Sequence, residues 1–316
     1  MSKIHEVLII GSGPAGLTAA IYAARAELNP IVFEGKNPGG QLISTSLVEN
    51  WPGNISILGA DLISNIKKHA QHFGIQTINE SIVKVDFNAH PFILTSNKKT
   101  LYKTKSVIIA TGAAPRRLGC PGEDAYWGKG VTTCAICDGA LFKDMPVVII
   151  GGGDTAMEDA LFMTKFTKKI AIVHILDKLT ASPAMQTRVL EDPNINIIYN
   201  STVSEIKGNG KHVTSVIIKN QETSKETIVP ARALFLAIGL KPNTGFLNGA
   251  LKLDTYGYVE TFCPTTTTSV EGVFACGDAA DYIYKQAITS SGTGCMAALD
   301  AQRYLNKLPS EAGEDY

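Results

Sequence analysis

Cys134 and Cys137 stand two residues apart in Val131-Thr132-Thr133-Cys134-Ala135-Ile136-Cys137-Asp138-Gly139, with an acid directly after the second sulfur. Two cysteines at this spacing can close a small disulfide ring. Such pairs often open a helix, whose positive end stabilises a thiolate. A thiolate, a partner sulfur and an adjacent proton source, Asp138, form the minimum set for moving two electrons through sulfur. Zinc would need two more ligands at comparable spacing, and the sequence has no second CxxC and no HxxxH. No metal site is therefore expected, and His69 and His72 read as surface residues.

A cycling dithiol needs a source of electrons, and the chain offers two places to bind one. Val7-Leu8-Ile9-Ile10 is a buried-strand run, Gly11-Ser12-Gly13-Pro14-Ala15-Gly16 follows it, and a helical stretch runs from Leu17 to Ala26. A second apolar run, Pro30-Ile31-Val32-Phe33, ends in Glu34, 18 residues beyond Gly16. This is a dinucleotide-binding pattern. Gly11 permits the tight turn, Gly13 lets a pyrophosphate approach the backbone, and Gly16 lets helix pack on strand. Glu34 lies close to where a carboxylate grips a ribose diol. The loops Pro38-Gly39-Gly40-Gln41-Leu42 and Val48-Glu49-Asn50-Trp51-Pro52-Gly53 suit either more of a large cofactor or ordinary turns. Asp61 to Phe73 reads as an amphipathic helix and Ile75 to Ser96 as a small antiparallel sheet. Val107 to Gly112 reads as a strand whose small end lets a ligand approach.

The chain then repeats itself. Val147-Val148-Ile149-Ile150-Gly151-Gly152-Gly153-Asp154-Thr155-Ala156 matches the first fingerprint at a constant offset of 140 residues, with Gly153 in the place of Gly13 and Ala156 in that of Gly16. Ile170 to Val173 matches the second strand, and His174 takes the position equivalent to Glu34. Ala110-Thr111-Gly112 is echoed by Ala237-Ile238-Gly239 at an offset of 127. Two homologous units imply two dinucleotides. Beyond Pro242 the tail resumes the first unit. Val273-Phe274-Ala275-Cys276-Gly277-Asp278 is a strand ending in Gly-Asp, whose carboxylate can accept from a ribityl chain or order a water on a diphosphate. Ser291-Gly292-Thr293-Gly294 leads into a helix expected from Cys295 to Leu305, its N-terminus facing a ring carbonyl or a phosphate. The expected fold is α/β, with two Rossmann-like dinucleotide-binding domains, the second inserted in the first. Their bounds are 1–114, 115–245 and 246–316, with Pro-containing connectors near 113–118 and 242–247.

The bulk numbers agree with this plan. A chain of 316 residues, 45% hydrophobic and 18% charged, is long enough for two cores. Lys+Arg 29 against Asp+Glu 29 leaves no basic field for nucleic acid or an anionic membrane. The six cysteines are too sparse for a secreted disulfide framework, so a reducing, cytoplasmic setting is expected, with Cys120, Cys263, Cys276 and Cys295 as free thiols. The apolar run Val7 to Ala24 follows Glu6 and is broken at Gly11 to Pro14, so neither a signal peptide nor a span is expected. Arg116 and Arg117 either touch phosphate or are solvated, and Thr265 to Thr268 carries no chemistry we can name.

Over nearly its full length the chain resembles the low-molecular-weight thioredoxin reductases. The resemblance is carried by Gly11 to Gly16, Gly39-Gly40-Gln41-Leu42, Val48-Glu49-Asn50, Cys134 to Gly139, Gly151 to Asp154, Gly277-Asp278, Gln286 to Thr289 and Gly292 to Ala298. A CxxC inside the second dinucleotide domain is the specific part, since other glutathione-reductase-like flavoproteins place their disulfide in the first. The resemblance implies FAD in the outer domain, held by Gly11, Ser12, Gly13, Pro14, Ala15, Gly16, Glu34, Gly40, Gln41, Leu42, Asn50, Gly112, Gly277, Asp278, Gln286 and Ala287. It implies a nicotinamide nucleotide in the inner domain, at Gly151, Gly153, Asp154, Thr155 and His174. It also implies a homodimer, with thioredoxin as the protein substrate. In this pattern Cys137 faces the flavin, Cys134 attacks the thioredoxin disulfide and Asp138 shuttles the proton, while the inner domain rotates on its two connectors.

One stretch departs from the pattern. NADPH-dependent members follow the second strand with His-Arg-Arg and a further Arg, which grip the 2′-phosphate. Here it reads Val173-His174-Ile175-Leu176-Asp177-Lys178-Leu179-Thr180. Losing charge-assisted contacts to a dianion should cost about 2–5 kcal/mol. Lys178 can restore part of this as a point charge, and Asp177 can take a ribose diol only if the turn is reshaped. The donor is expected to be NADPH or NADH. The alternative is a related flavoprotein using another donor, such as ferredoxin, or another disulfide partner.

Overall fold

The computed structural model describes residues 3–45 and 47–309. They fall into two compact units, with residues 57–114 and 241–309 joining 3–45 in the first, and 47–56 joining 115–240 in the second.

In the first unit, short β-branched runs form the strands. Ile4–Ile10, Ile31–Phe33 and Gln76–Ile78 lie in parallel on one side of Leu101–Ile109, and Phe92–Ser96 and Ile82–Asp86 run antiparallel on the other. Leu101–Ile109 is long enough to divide its outer edge. Residues 101–104 pair with the antiparallel strand, and residues 107–109 pair in parallel with the returning strand Val273–Ala275. The seven strands make one sheet, so the expected small antiparallel sheet over 75–96 is not separate: Gln76–Ile78 extends the parallel edge and the rest is a meander on the same sheet. Alternation along Ile4–Ile10 sends Val7 and Ile9 into one core layer with the helix Pro14–Arg25, and Leu8 and Ile10 into the other with Phe33, Phe92 and Val259. The second helix, Gly59–His72, covers the 41–45 turn.

The closing helix runs Ala287–Leu305 and so begins eight residues before the expected start. The reason is a capping box: the Gln286 side chain accepts from the first turn while Thr289 Oγ1 accepts from the Gln286 amide. Gly292 and Gly294 are therefore interior to the helix. Gly294 lets it lie directly on the first helix, where a Cβ would come within 2.2 Å of the Ala15 carbonyl oxygen.

The second unit has a five-stranded parallel sheet in the order Val131–Thr132, Ala233–Leu236, Val147–Ile150, Ile170–Val173, Ile195–Ile198. A three-stranded antiparallel sheet, Ser201–Gly208, Val213–Asn220 and Glu226–Pro230, covers one face. The repeat is exact in register. Leu8 pairs with Ile31 and Val148 with Ala171, both partners shifted by 140 residues. The Gly11 amide donates to Phe33 at 2.8 Å, and the Gly151 amide to Val173 at 3.1 Å. The Ala110 amide donates to Ile10 and the Ala237 amide to Ile150, both at 2.9 Å.

The chain passes between the units at 114/115 and 240/241, where Ala113–Pro115 and Leu240–Pro242 run as a two-stranded ribbon. Residues 47–56 group with the second unit, a division the sequence did not suggest. Among the described residues no helix is long and apolar enough to cross a membrane.

Candidate redox and dinucleotide sites

Cys134 and Cys137 form a disulfide with their Cα atoms 5.3 Å apart. Cys134 caps a one-turn helix, Ala135–Asp138. The Cys137 amide donates to Cys134 Sγ at 3.2 Å, and the Asp138 amide to the Cys134 carbonyl at 3.1 Å. A thiolate at Cys134 would meet that amide and the positive end of the turn. The turn is seated by Ala135, buried against Met157, Ala160 and Met163 of the helix Asp154–Met163. It is also seated by Gly139, where a Cβ would come within 2.8 Å of Met163 Sδ. Both cysteines are half-buried, and Ile136 between them is 61% exposed.

Asp138 is held differently on its two oxygens. Oδ2 accepts from the Thr132 hydroxyl, while Oδ1 is buried with no partner among the described residues. Burial pushes this carboxyl up, against the opposing hydrogen bond from Thr132. It therefore keeps a proton to higher pH than an exposed aspartate, as an acid beside a leaving thiolate must.

In the first unit Gly11 and Gly16 are packing positions. A Cβ on Gly11, whose φ is +115°, would meet the Ala110 carbonyl at 2.1 Å, and one on Gly16 the Gly11 carbonyl at 1.9 Å. Gly13 is different, for its Cβ would meet only the Gly39 carbonyl, at 4.0 Å. Pro14 opens the helix behind it, and no side chain caps that end. Ser12 Oγ accepts from Gly39 at 2.9 Å, which sets Gly40 across from Gly13. Gln41 bonds the Ala113 carbonyl at 2.7 Å and reaches Asp278 Oδ2 at 3.5 Å, with Leu42 beside it in the same turn. Asp278 also accepts from Ser290 at 3.0 Å, and burial pushes it up to about 6. Gly277 donates to Thr293 at 2.9 Å. Thr111 Oγ1 and Ser291 Oγ are buried without partners among the described residues, and Gly112 faces open space. An uncapped helix end, an open glycine and orphaned hydroxyls fit an extended diphosphate cofactor such as FAD.

The second unit repeats the arrangement. Gly151 packs on the Ala237 carbonyl at 2.5 Å from its would-be Cβ, Gly153 is open apart from Thr180 Oγ1 at 3.8 Å, and the helix Asp154–Met163 has no side-chain cap. Thr155 is exposed, and Asp154 accepts from the Ser182 amide at 2.7 Å, which holds its carboxyl below the ordinary value. His174 is 6% exposed, with Nε2 unpartnered among the described residues; burial lowers its pKa.

Most expected residues are thus assembled, with three differences. Asn50 is exposed in the 47–56 segment, outside the first unit. Gln286 serves as the cap of the closing helix and Ala287 as its first residue. Arg117 lies over the Trp127 ring at 3.4 Å and pairs with Glu123 and Asp124, so it is structural. Three partners escaped the sequence: Lys67, whose ammonium pairs with Glu34; Thr132 on Asp138; and Asp300, which fixes the buried Thr266 at 2.8 Å. No local pattern flags them, because each meets its partner from distant sequence or as an ordinary polar residue.

Two nucleotide folds, one carrying a dithiol, define a disulfide oxidoreductase, and the family described as pyridine nucleotide-disulphide oxidoreductase matches residues 5–294. The chain is 50% identical over 311 residues to the thioredoxin reductase of Chlamydia pneumoniae, covering 96% of this chain and 99% of that one. It is 47% identical over 310 residues to that of Streptomyces clavuligerus, covering 98% and 96%. A solved thioredoxin reductase from Giardia duodenalis superposes with a TM-score of 0.91 at 44% identity, over 96% of this chain and 100% of that one. The chain belongs to the thioredoxin reductase family.

Proposed function

We propose that this chain passes two electrons from a nicotinamide nucleotide through FAD and the Cys134–Cys137 pair to the disulfide of thioredoxin. The observation that carries this is the disulfide at the head of a helical turn inside the second of two dinucleotide folds, with a buried acid beside it. FAD would be held by residues of 1–114 and 246–316, through Gly13, Gly40, Gln41 and Asp278, and the nicotinamide nucleotide by 115–245, through Gly153 and the helix it opens. Bound FAD supplies the two-electron relay between nicotinamide and disulfide.

The protein's own part is thiol chemistry. With the pair reduced, Cys134 is the attacking sulfur, its thiolate favoured by the Cys137 amide. Attack on the substrate disulfide forms a Cys134–substrate bond and expels one thiolate, which takes the proton held by Asp138. The Cys137 thiolate then attacks Cys134 Sγ, re-forms the ring disulfide and expels the second thiolate. One disulfide is reduced and one dithiol is oxidised, so atoms and electrons balance.

We further propose NADH as the preferred donor. Ile175 and Leu176, which follow the second strand, are 58% and 46% exposed, and the next charges, Asp177 and Lys178, cancel. A 2′-phosphate dianion needs fixed cationic donors that this stretch does not supply. A homodimer in a reducing, cytoplasmic setting completes the reading. It is supported by the exposed Tyr22, Ile288, Met296 and Leu299 on the two packed helices, and by the free, exposed Cys263. The test is anaerobic bleaching of the flavin by NADH and by NADPH in parallel, followed by oxidised thioredoxin. Bleaching by NADH and return of colour with thioredoxin is the expected result. Bleaching by dithionite alone would overturn the nicotinamide assignment.

A further inference from the structure

Thr132 ends the strand Val131–Thr132, where it pairs in register with Phe235 at the edge of the parallel sheet. Its position is thus set by the sheet and not by the redox turn. A hydroxyl has one proton to give and lone pairs to accept with. The Cys134 amide donates to Thr132 Oγ1 at 3.4 Å, so the hydroxyl proton is directed to Asp138 Oδ2. Oδ1 is left buried with no partner among the described residues. A buried carboxyl oxygen with nothing donating to it is the favourable place for the acid's proton.

We propose that Thr132 is the positioning residue of the proton donor: its hydroxyl ties Asp138 Oδ2 to the backbone of Cys134 and leaves Oδ1 as the oxygen that carries the proton and delivers it. The proton leaves Oδ1 for the thiolate expelled when Cys134 forms its bond to the substrate, and the carboxylate left behind is stabilised on Oδ2 by the Thr132 hydroxyl. The inference rests on the reading of Asp138 as the acid. Other charges do not complicate it. Burial and the Thr132 hydroxyl account for the shift at Asp138, while on the helix packed against the redox turn the Glu158 charge acts on Asp159.

The test uses the holoenzyme, reduced with one equivalent of dithionite and mixed with oxidised thioredoxin in a single turnover across a range of pH. Transfer should fall as pH rises through the Asp138 transition. The Thr132 hydroxyl favours the carboxylate, so Thr132→Val should move that fall upward by about one pH unit. Thr132→Ser should restore the original position. A limb that stays put in Thr132→Val, or that moves equally in Thr132→Ser, overturns the inference. If Thr132→Val does not fold, Thr132→Ala is read by the same criteria. Asp138→Asn separates the two levels: it should abolish the limb, and a limb that persists there defeats the assignment of Asp138 itself. If Asp138→Asn abolishes the limb while Thr132→Val leaves it in place, only the role of Thr132 falls.

Discussion

The imidazole of His174 occupies the space that Gly152 leaves by having no side chain. A Cβ at Gly152 would stand 2.4 Å from His174 Cε1 and Nδ1. The residue equivalent to Glu34 is therefore packed beneath the glycine loop. The loop is held from the other side as well, because Thr180 and Ala181 both donate to the Gly152 carbonyl, at 2.8 and 3.0 Å. On the proposed reading, the residues left to meet the nucleotide's ribose are those between, Ile175 to Thr180.

Installing cations there should change the donor preference. Ile175→Arg combined with Leu176→Arg should raise kcat/KM for NADPH at least about tenfold and leave that for NADH within a few-fold, since each guanidinium offers charge-assisted donors to the phosphate alone. Steady-state kinetics with both nucleotides check this. An unchanged ratio would place ribose recognition elsewhere.

Gly13→Ala and Gly16→Ala should separate cofactor binding from folding. The Gly16 Cβ would meet backbone at 1.9 Å, so this variant should lose about 2 kcal/mol or more and purify without flavin. The Gly13 position has φ −72° and open space, so the apoprotein should be nearly as stable as the parent. Its methyl would stand where the proposed FAD site brings the diphosphate to the backbone, and flavin affinity should fall. Flavin content and urea midpoints report the two effects independently.

The contrast between these glycines also shows what could be read from sequence. Strand, glycine turn and helix are local patterns, so both nucleotide folds, their repeat at 140 residues and a helix opening at the cysteine pair were legible. The start of the closing helix was misplaced because Gly292 and Gly294 look like turn residues. The capping box at Gln286 starts the helix before them, and Gly294 is explained inside it by close packing on Ala15, while Gly292 faces open space. Glu34 was legible as an acid, but its pairing with the half-buried Lys67 was not, since a single lysine in an amphipathic helix has no distinguishing neighbours in sequence. Thr132 was equally invisible, because only the fold sets its hydroxyl against Asp138.

Cys134→Ser should leave FAD bound and reducible and abolish transfer to thioredoxin. The serine oxygen is a poor nucleophile at its own pKa and cannot form the mixed disulfide. Cys137 is left as a lone thiol. Thioredoxin reduction at the parental rate would remove Cys134 from the role of attacking sulfur.

Asp159 predicts the pH dependence of stability. It is buried on the helix Asp154–Met163 beside Glu158, and burial, then the Glu158 charge, push it up to about 7 from the ordinary aspartate value of 3.8. The folded state therefore binds this proton more tightly than the unfolded chain. Its contribution is fully present below about pH 4 and is lost as pH rises towards and through 7. At pH 8 the ionised group should cost as much as about 4 kcal/mol, the free-energy equivalent of that shift. Asp159→Asn removes the charge at nearly constant volume. It should raise the denaturation midpoint at pH 8, leave it almost unchanged near pH 4, and flatten the slope between. Urea titrations of parent and variant across that window measure the difference. Parallel profiles would mean that Asp159 is relieved by solvent or by a partner, and that its burial does not tax the folded state.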